Sequence, residues 1–319
     1  MNPSKKNIWI FGGTGFIGKA LLNKLSENSQ NNLHLLIHKN IPYQHLEYFN
    51  TFTGSLTRFD LSWLEKYPPD VIYHLARLGG RNFLTRTIAS QKGAKANSRL
   101  ISFLSQMRYP PIVVYVSGSL MYGNQKNGNF ANEFTPLSPV SYAKTYIQGE
   151  KPWIAAQHNQ TSDVRFARPG WIVGNGSWFK SFYWNVFLKT GKVPIYGDGN
   201  QLMSVIHVED CAGQIIHLAE YGEKNQNFNI FCGNPVTQNI FAMTLSDLLK
   251  ADTEPVQIET LSKKYGNTVT QAFNTSIPLK TKFPELANSY SFLYPDLKSI
   301  IAKTLSGLEH DKAVFPPTP

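Results

Sequence analysis

Phe11-Gly-Gly-Thr-Gly-Phe-Ile-Gly18 stands between a short apolar run, Asn7 to Phe11, and an amphipathic segment, Ile17 to Glu27. The run predicts a buried strand and the segment a helix, so the glycines occupy a strand–turn–helix junction. Gly13, Gly15 and Gly18 fit the dinucleotide fingerprint, and Gly12, Gly15 and Gly18 fit its short-chain variant. The first glycines of such a loop permit a tight turn and close approach of the backbone to a pyrophosphate. The last lets the helix pack on the sheet, and the helix N-terminus offers free N–H groups to an anion. Gly12, Gly13, Thr14, Gly15, Phe16, Ile17 and Gly18 are therefore candidate phosphate-loop residues.

Working outward, short Ile- and Val-rich runs alternate with helical patterns. Leu33 to Ile37, Val71 to Leu75, Ile112 to Val116 and Asp163 to Phe166 read as strands. Asn97 to Met107 and Tyr142 to Gln157 read as helices between them. This alternation predicts parallel pairing with right-handed crossovers, hence an α/β, doubly wound (Rossmann) sheet. After Arg168-Pro169-Gly170 the elements become less regular and richer in Gly, Pro and aromatic residues. We expect residues 1–170 to form the dinucleotide-binding domain. Residues 201–234, with a helix from His207 to Tyr221 and a strand from Phe228 to Phe231, should return to it. Residues 171–200 and 235–319 should form a smaller substrate-binding lobe.

The 319 residues are 42% hydrophobic and 16% charged, a globular composition. No stretch reaches the roughly 18 uninterrupted apolar residues of a membrane span. The polar start, Met1 to Lys6, has no apolar signal region, and the two cysteines, Cys211 and Cys232, have neither metal nor disulfide-framework spacing. A cytoplasmic protein is the expectation. The net charge of +10 is scattered along the chain and carries no nucleic-acid motif. It suits solubility and an anionic cofactor or small-molecule substrate. His74 and His207 lack a second ligand at metal spacing, so no metal is assigned.

The end of the second strand bears on the cofactor. An acid there would bind the ribose 2′-hydroxyl of NAD. This chain has His38-Lys39, and Lys39 either pairs with the 2′-phosphate of NADP or belongs to a solvated basic turn. NADP is the expected cofactor, with NAD as the alternative.

From Ile8 to Leu249 the chain resembles the extended short-chain dehydrogenase/reductases, the NAD-dependent epimerase/dehydratase group. The marks are the glycine loop, Gly54-Ser-Leu56, Asp70-Val-Ile-Tyr-His-Leu-Ala76, Asn97 and Val116-Ser-Gly-Ser-Leu-Met-Tyr-Gly123. Ser141-Tyr142 with Gly149-Glu150, Arg168-Pro-Gly170, Gly197-Asp-Gly199 and His207-Val-Glu-Asp210 complete them. The resemblance implies that Ser55 and Leu56 lie by the adenine. It implies that Leu75, Ala76 and Arg77 line the cofactor cleft, and that Pro169 and Gly170 sit by the nicotinamide. It also implies a homodimer paired through the helices at Asn97 to Met107 and Tyr142 to Gln157, and Tyr142 as general acid/base.

Three positions depart from that pattern. Four residues after Tyr142, where the group has a lysine one helical turn on, stands Tyr146; Lys144 belongs to another helical face. The Ser/Thr position reads Gly118, flanked by Ser117 and Ser119. Met203 occupies the place of the arginine that binds a substrate diphosphate in the sugar-nucleotide enzymes of the group. Tyr142 with Ser117, Ser119 and Tyr146 are the candidate catalytic residues, and a sugar nucleotide is disfavoured. The crowd of Trp171, Trp178, Phe179, Phe182, Tyr183, Trp184 and Phe187 reads either as a wall for an apolar or aromatic substrate or as a packed helix. Nearby Lys180, Lys189 and Lys192 would suit an acidic substrate. Three functions follow: a redox enzyme, epimerase or dehydratase on a small substrate; a non-redox lyase, cyclase or isomerase; or an inactive dinucleotide-binding protein.

Overall fold

A computed structural model describes residues 5–38, 49–80, 82–125 and 128–314. The central sheet takes its strands from β1 (Lys6–Phe11), β2 (Asn31–Ile37), β3 (Asn50–Thr53), β4 (Val71–His74), β5 (Ile112–Val116) and β6 (Asp163–Pro169). Three short strands, β7 (Trp171–Val173), β8 (Val193–Tyr196) and β9 (Leu202–Met203), precede β10 (Val205–His207) and β11 (Asn227–Ile230). The seven-stranded order is β11-β6-β5-β4-β1-β2-β3, and every pairing is parallel. The doubly wound α/β sheet expected from the alternation is therefore the fold.

The helices are α1 (Phe16–Ser26), α2 (Ser62–Lys66), α3 (Phe83–Leu104), α4 (Ser141–Lys144), α5 (Ile147–His158), α6 (Asn185–Thr190) and α7 (Val208–Tyr221). The rest of the chain adds β12 (Val236–Thr237), α8 (Gln238–Leu249), β13 (Thr253–Val256), α9 (Ile258–Tyr265), α10 (Asn267–Phe273), α11 (Pro284–Asn288) and α12 (Leu297–Val314). Alternation along β1 divides the core in two. Ile8 and Ile10 join Leu21, Leu22 and Leu25 of α1 on one face; Trp9 and Phe11 join Leu100, Leu104 and Trp153 on the other. A strand buried on both faces reads as a continuous apolar run, which is why β1 is visible in the sequence. Among the described residues no helix is long and apolar enough to cross a membrane.

Three elements differ from expectation. β3, Asn-Thr-Phe-Thr, is a largely exposed edge strand with no apolar run to announce it. α3 begins at Phe83, far ahead of Asn97, because Asn82 and Thr85 form a reciprocal capping box. Its first turns leave Leu84 and Ile88 exposed, so they lack a buried stripe. The helix expected from Tyr142 to Gln157 is broken into α4 and α5. α7 packs on α1 and β11 pairs with β6, whereas β9 and β10 pair with β12 and β7.

The strand order reverses at β1 and β4, which meet side by side. Ligands of open α/β sheets bind in the crevice beyond the carboxyl ends of the strands at such a switch point. There the chain places the glycine loop, Leu75-Ala76-Arg77, Ser117-Gly118-Ser119 and Pro169-Gly170.

Candidate active site

The glycine loop has the shape that a pyrophosphate requires. Gly12 adopts φ +92°, and a Cβ there would lie 2.9 Å from the Ala76 backbone nitrogen. A Cβ on Gly18 would overlap the Gly12 carbonyl oxygen and lie 2.7 Å from the Gly13 backbone. Gly15 N–H donates to Gly12 O at 3.0 Å, closing the turn. The helix then starts without a side-chain cap and without an acid in its first turn. Its first N–H groups have no acceptor within the helix, so the loop fits an anionic ligand. The two tight positions are Gly12 and Gly18, as in the short-chain variant of the motif.

On the adenosine side of the crevice, a cavity of about 510 Å³ is lined by His38, Thr57, Arg77, Leu78 and Lys92, among others. Ser55 caps the turn Leu56–Arg58, its hydroxyl 3.1 Å from that of Thr57, and Leu56 is buried. Lys39 lies outside the described residues.

The candidate catalytic residues separate into two environments. Ser117 is buried and committed: its hydroxyl donates to Glu150 Oε2 at 2.6 Å and accepts from Arg168 Nη1 at 3.0 Å. Arg168 also pairs with Glu150, and both are buried. Ser119 and Tyr142 instead line a cavity of about 480 Å³ together with Phe16 of the glycine loop, Gly170, Trp171, Trp178, Phe182, Val269 and Phe273. Gly118 is extended, and a Cβ there would be 3.9 Å from its nearest neighbour, Pro169 O.

Tyr146 begins α5 one turn from Tyr142, and the two rings are 5.4 Å apart. Arg77 lies with its guanidinium 5.3 Å from the centre of the Tyr146 ring and donates to Ser117 O at 3.0 Å. Burial and the neighbouring Tyr142 phenol push the Tyr146 phenol up, while Arg77 and Arg86 pull it down; the net shift is upward.

The aromatic stretch divides between the core and the cavity. Phe179 and Tyr183 are fully buried and stack in the core, around a π-helical turn at Lys180–Trp184. Trp171, Trp178 and Phe182 face the cavity and meet Phe273 at ring distances of 4.3 to 5.8 Å. Val269 and Phe273 of α10 are site residues that sequence reading missed, since Asn-Thr-Val-Thr-Gln-Ala-Phe carries no mark of a site. Met203 is buried in the core. Lys192 pairs at the surface with Glu254.

His74 and His207 make structural contacts. His74 is buried, with Nε2 3.0 Å from Asn97 Oδ1, and burial pushes its pKa down to about 4. Asn97 in turn donates to Gly149 O, tying α3 to α5. His207 Nδ1 accepts from Glu209 N–H at the start of α7. Among the described residues no group of three metal-ligating side chains converges.

Residues 8–230 match the NAD-dependent epimerase/dehydratase family. The chain belongs to that family. An "Epimerase family protein SAR0825" of Staphylococcus aureus is 24% identical over 318 residues, covering 94% of this chain and 99% of its own length. The dTDP-glucose 4,6-dehydratase of Bacillus anthracis, solved with NAD, superposes with a TM-score of 0.78 at 18% identity, over 98% of this chain and 99% of its own. Human epimerase family protein SDR39U1, solved with NADPH, gives 0.75 at 19% identity, over 94% and 99%. These likenesses establish the fold across nearly the whole chain.

Proposed function

We propose that this family member is an NADP(H)-dependent enzyme acting on a small, non-nucleotide, apolar or aromatic substrate. The observation that carries the reading is the shared cavity: Tyr142 and Ser119, Phe16 of the glycine loop, and the ring faces of Trp171, Trp178, Phe182 and Phe273 line one space. Gly12 to Gly18 would hold the cofactor pyrophosphate, Ser55 and Leu56 would approach the adenine, and His38 with Lys39 would hold the 2′-phosphate. Leu75, Ala76, Arg77, Pro169 and Gly170 would line the rest of its path. When bound, the cofactor supplies a hydride donor and acceptor.

The protein's own contribution is proton handling and exclusion of water. Tyr142 would give a proton to, or take one from, a substrate oxygen, with Ser119 lining the same cavity. General acid/base help of this kind is worth about 10²–10⁴-fold. The apolar walls favour an uncharged substrate body, because burying an unpaired charge there is costly. Met203 supplies no cation for a diphosphate, which supports exclusion of sugar nucleotides. Juxtaposed α3 and α5 fit a homodimer paired through these helices.

A non-redox reaction on the same scaffold is the second reading. It is favoured by Gly118, which offers no hydroxyl, and by the engagement of Ser117 with Glu150 and Arg168. Calorimetric titration with NADP(H) and NAD(H), followed by NADPH oxidation assays with aromatic and alicyclic aldehydes and ketones beside UDP- and dTDP-sugars, tests the proposal. Tighter binding of NADP(H) and turnover of an aromatic carbonyl is the expected result. Tighter NAD(H) binding, or turnover of a sugar nucleotide at ordinary enzymatic rates of roughly 1–10³ per second, would overturn it.

A further inference from the structure

Four residues after Tyr142, where the related enzymes' pattern puts a lysine, stands a second tyrosine, so the cation of that pattern is missing. A cation reaches the pair from another element. Arg77 follows β4 by three residues, lines the crevice beside His38 and Thr57, and turns its guanidinium back toward β5 and α5. Two contacts fix it there: the hydrogen bond to Ser117 O at 3.0 Å and the placement 5.3 Å over the Tyr146 ring. A guanidinium held by a carbonyl at one edge and a π-face at another has a defined orientation, which an unanchored surface arginine lacks.

We propose that Arg77 is the positioning residue of the Tyr142–Tyr146 pair. It supplies, from the loop after β4, a positive charge held over the Tyr146 ring, at the pair that lacks the pattern's lysine. This deepens the reading of Tyr142 as the proton-transferring group and rests on it. The charge acts through Tyr146, whose ring meets Arg77 at 5.3 Å and the ring of Tyr142, which lines the cavity, at 5.4 Å. It favours the ionised form of the Tyr146 phenol, whose ring it overlies, because a nearby opposite charge stabilises that form. The other charges around the pair do not do this equally. Arg86 of α3 is engaged through Nε with Asn82 O. Glu150 of α5 and Arg168 of β6, beyond Ser117, are paired with each other. Lys144 of α4, exposed like Arg77, makes no ring contact with either tyrosine among the described residues.

The test reads the phenols directly and needs neither cofactor nor substrate, so it stands whether or not the proposed reaction is right. The full chain is labelled with tyrosine carrying ¹³C at Cζ. The two resonances are assigned with Tyr142→Phe and Tyr146→Phe and titrated by NMR. Arg77→Met should move the Tyr146 midpoint upward by about one pH unit, at the low end of the usual range because Arg77 is exposed. Arg77→Lys should return most of that shift, and Arg86→Met should change little. In the unmutated protein, raising the ionic strength to about 1 M should also move the midpoint upward, since salt screens an exposed cation. That measurement stands if a variant fails to fold. Unchanged midpoints in Arg77→Met, a larger effect from Arg86→Met, or indifference to salt would overturn the assignment.

Discussion

Replacing Ser117 with alanine separates a catalytic serine from a structural one. In the folded protein the hydroxyl lies inside a buried cluster, with Glu150 and Arg168 each 3% exposed or less. It gives one hydrogen bond to a carboxylate and receives one from a guanidinium, at 2.6 and 3.0 Å. Hydrogen bonds to charged groups contribute about 1.5–3 kcal/mol each. The Glu150–Arg168 pair survives the substitution, so the two losses should not add fully, and about 3 kcal/mol is expected. Glu150→Gln, which strands the Arg168 charge, should cost about 3–5 kcal/mol. Urea unfolding of the three proteins gives these differences, and the double variant gives the coupling. NADP(H) affinity of folded Ser117→Ala should remain near the unmodified value. If Ser117→Ala leaves stability within about 0.5 kcal/mol, the cost of an ordinary surface change, yet abolishes turnover, the hydroxyl belongs to the reaction and the cluster argument fails.

Gly18→Ala should abolish dinucleotide binding and destabilise the fold, because the added Cβ overlaps the Gly12 carbonyl; calorimetry with NADP(H) would refute the loop assignment if affinity were kept. Gly118→Ser should be tolerated, or gain up to about 1 kcal/mol through the unfolded chain, since the position is extended and open. A loss of more than about 2 kcal/mol in urea would contradict that geometry. Stability should fall from pH 6.5 to pH 4. Unfolded His74 takes up a proton below about 6.5, whereas the folded, buried ring does so only near 4, so the unfolded state binds more protons in that window. The gap of roughly 2.5 pH units corresponds to about 3 kcal/mol, and His74→Gln should flatten the slope of stability against pH there.

Elements buried on both faces were legible in the sequence because their apolar runs are continuous. The glycine loop was legible because its spacing is dictated by backbone geometry that few other residues allow. β3 was not, since an edge strand has little to bury. Glu150 and Arg168 were visible as family marks, but their union with Ser117 joins β5, α5 and β6 and has no sequence spacing. The same holds for Phe273, which reaches the cavity from a helix about a hundred residues beyond Trp171. Sequence reading recognised Arg77 only as lining the cofactor cleft, because its contact with Tyr146 depends on where the loop after β4 turns.

That contact changes what Tyr146→Lys should do. Read along one helix, the substitution restores a cation one turn from Tyr142. In the folded protein it also places that cation in the space where Arg77 lies over the Tyr146 ring. Two like charges about 5 Å apart repel, and an exposed guanidinium in partly screened surroundings limits the cost to about 1 kcal/mol. Lysine at 146 should therefore displace Arg77 from Ser117 O and lower stability modestly. Combining it with Arg77→Ala removes the repulsion and leaves one cation in the neighbourhood. The double variant should recover most of the stability lost by Tyr146→Lys alone. Urea unfolding of the three proteins measures the difference. If Tyr146→Lys is as stable with Arg77 present as without it, the guanidinium does not share that space, and Tyr146 is simply a packed phenol at a site that has dispensed with its cation.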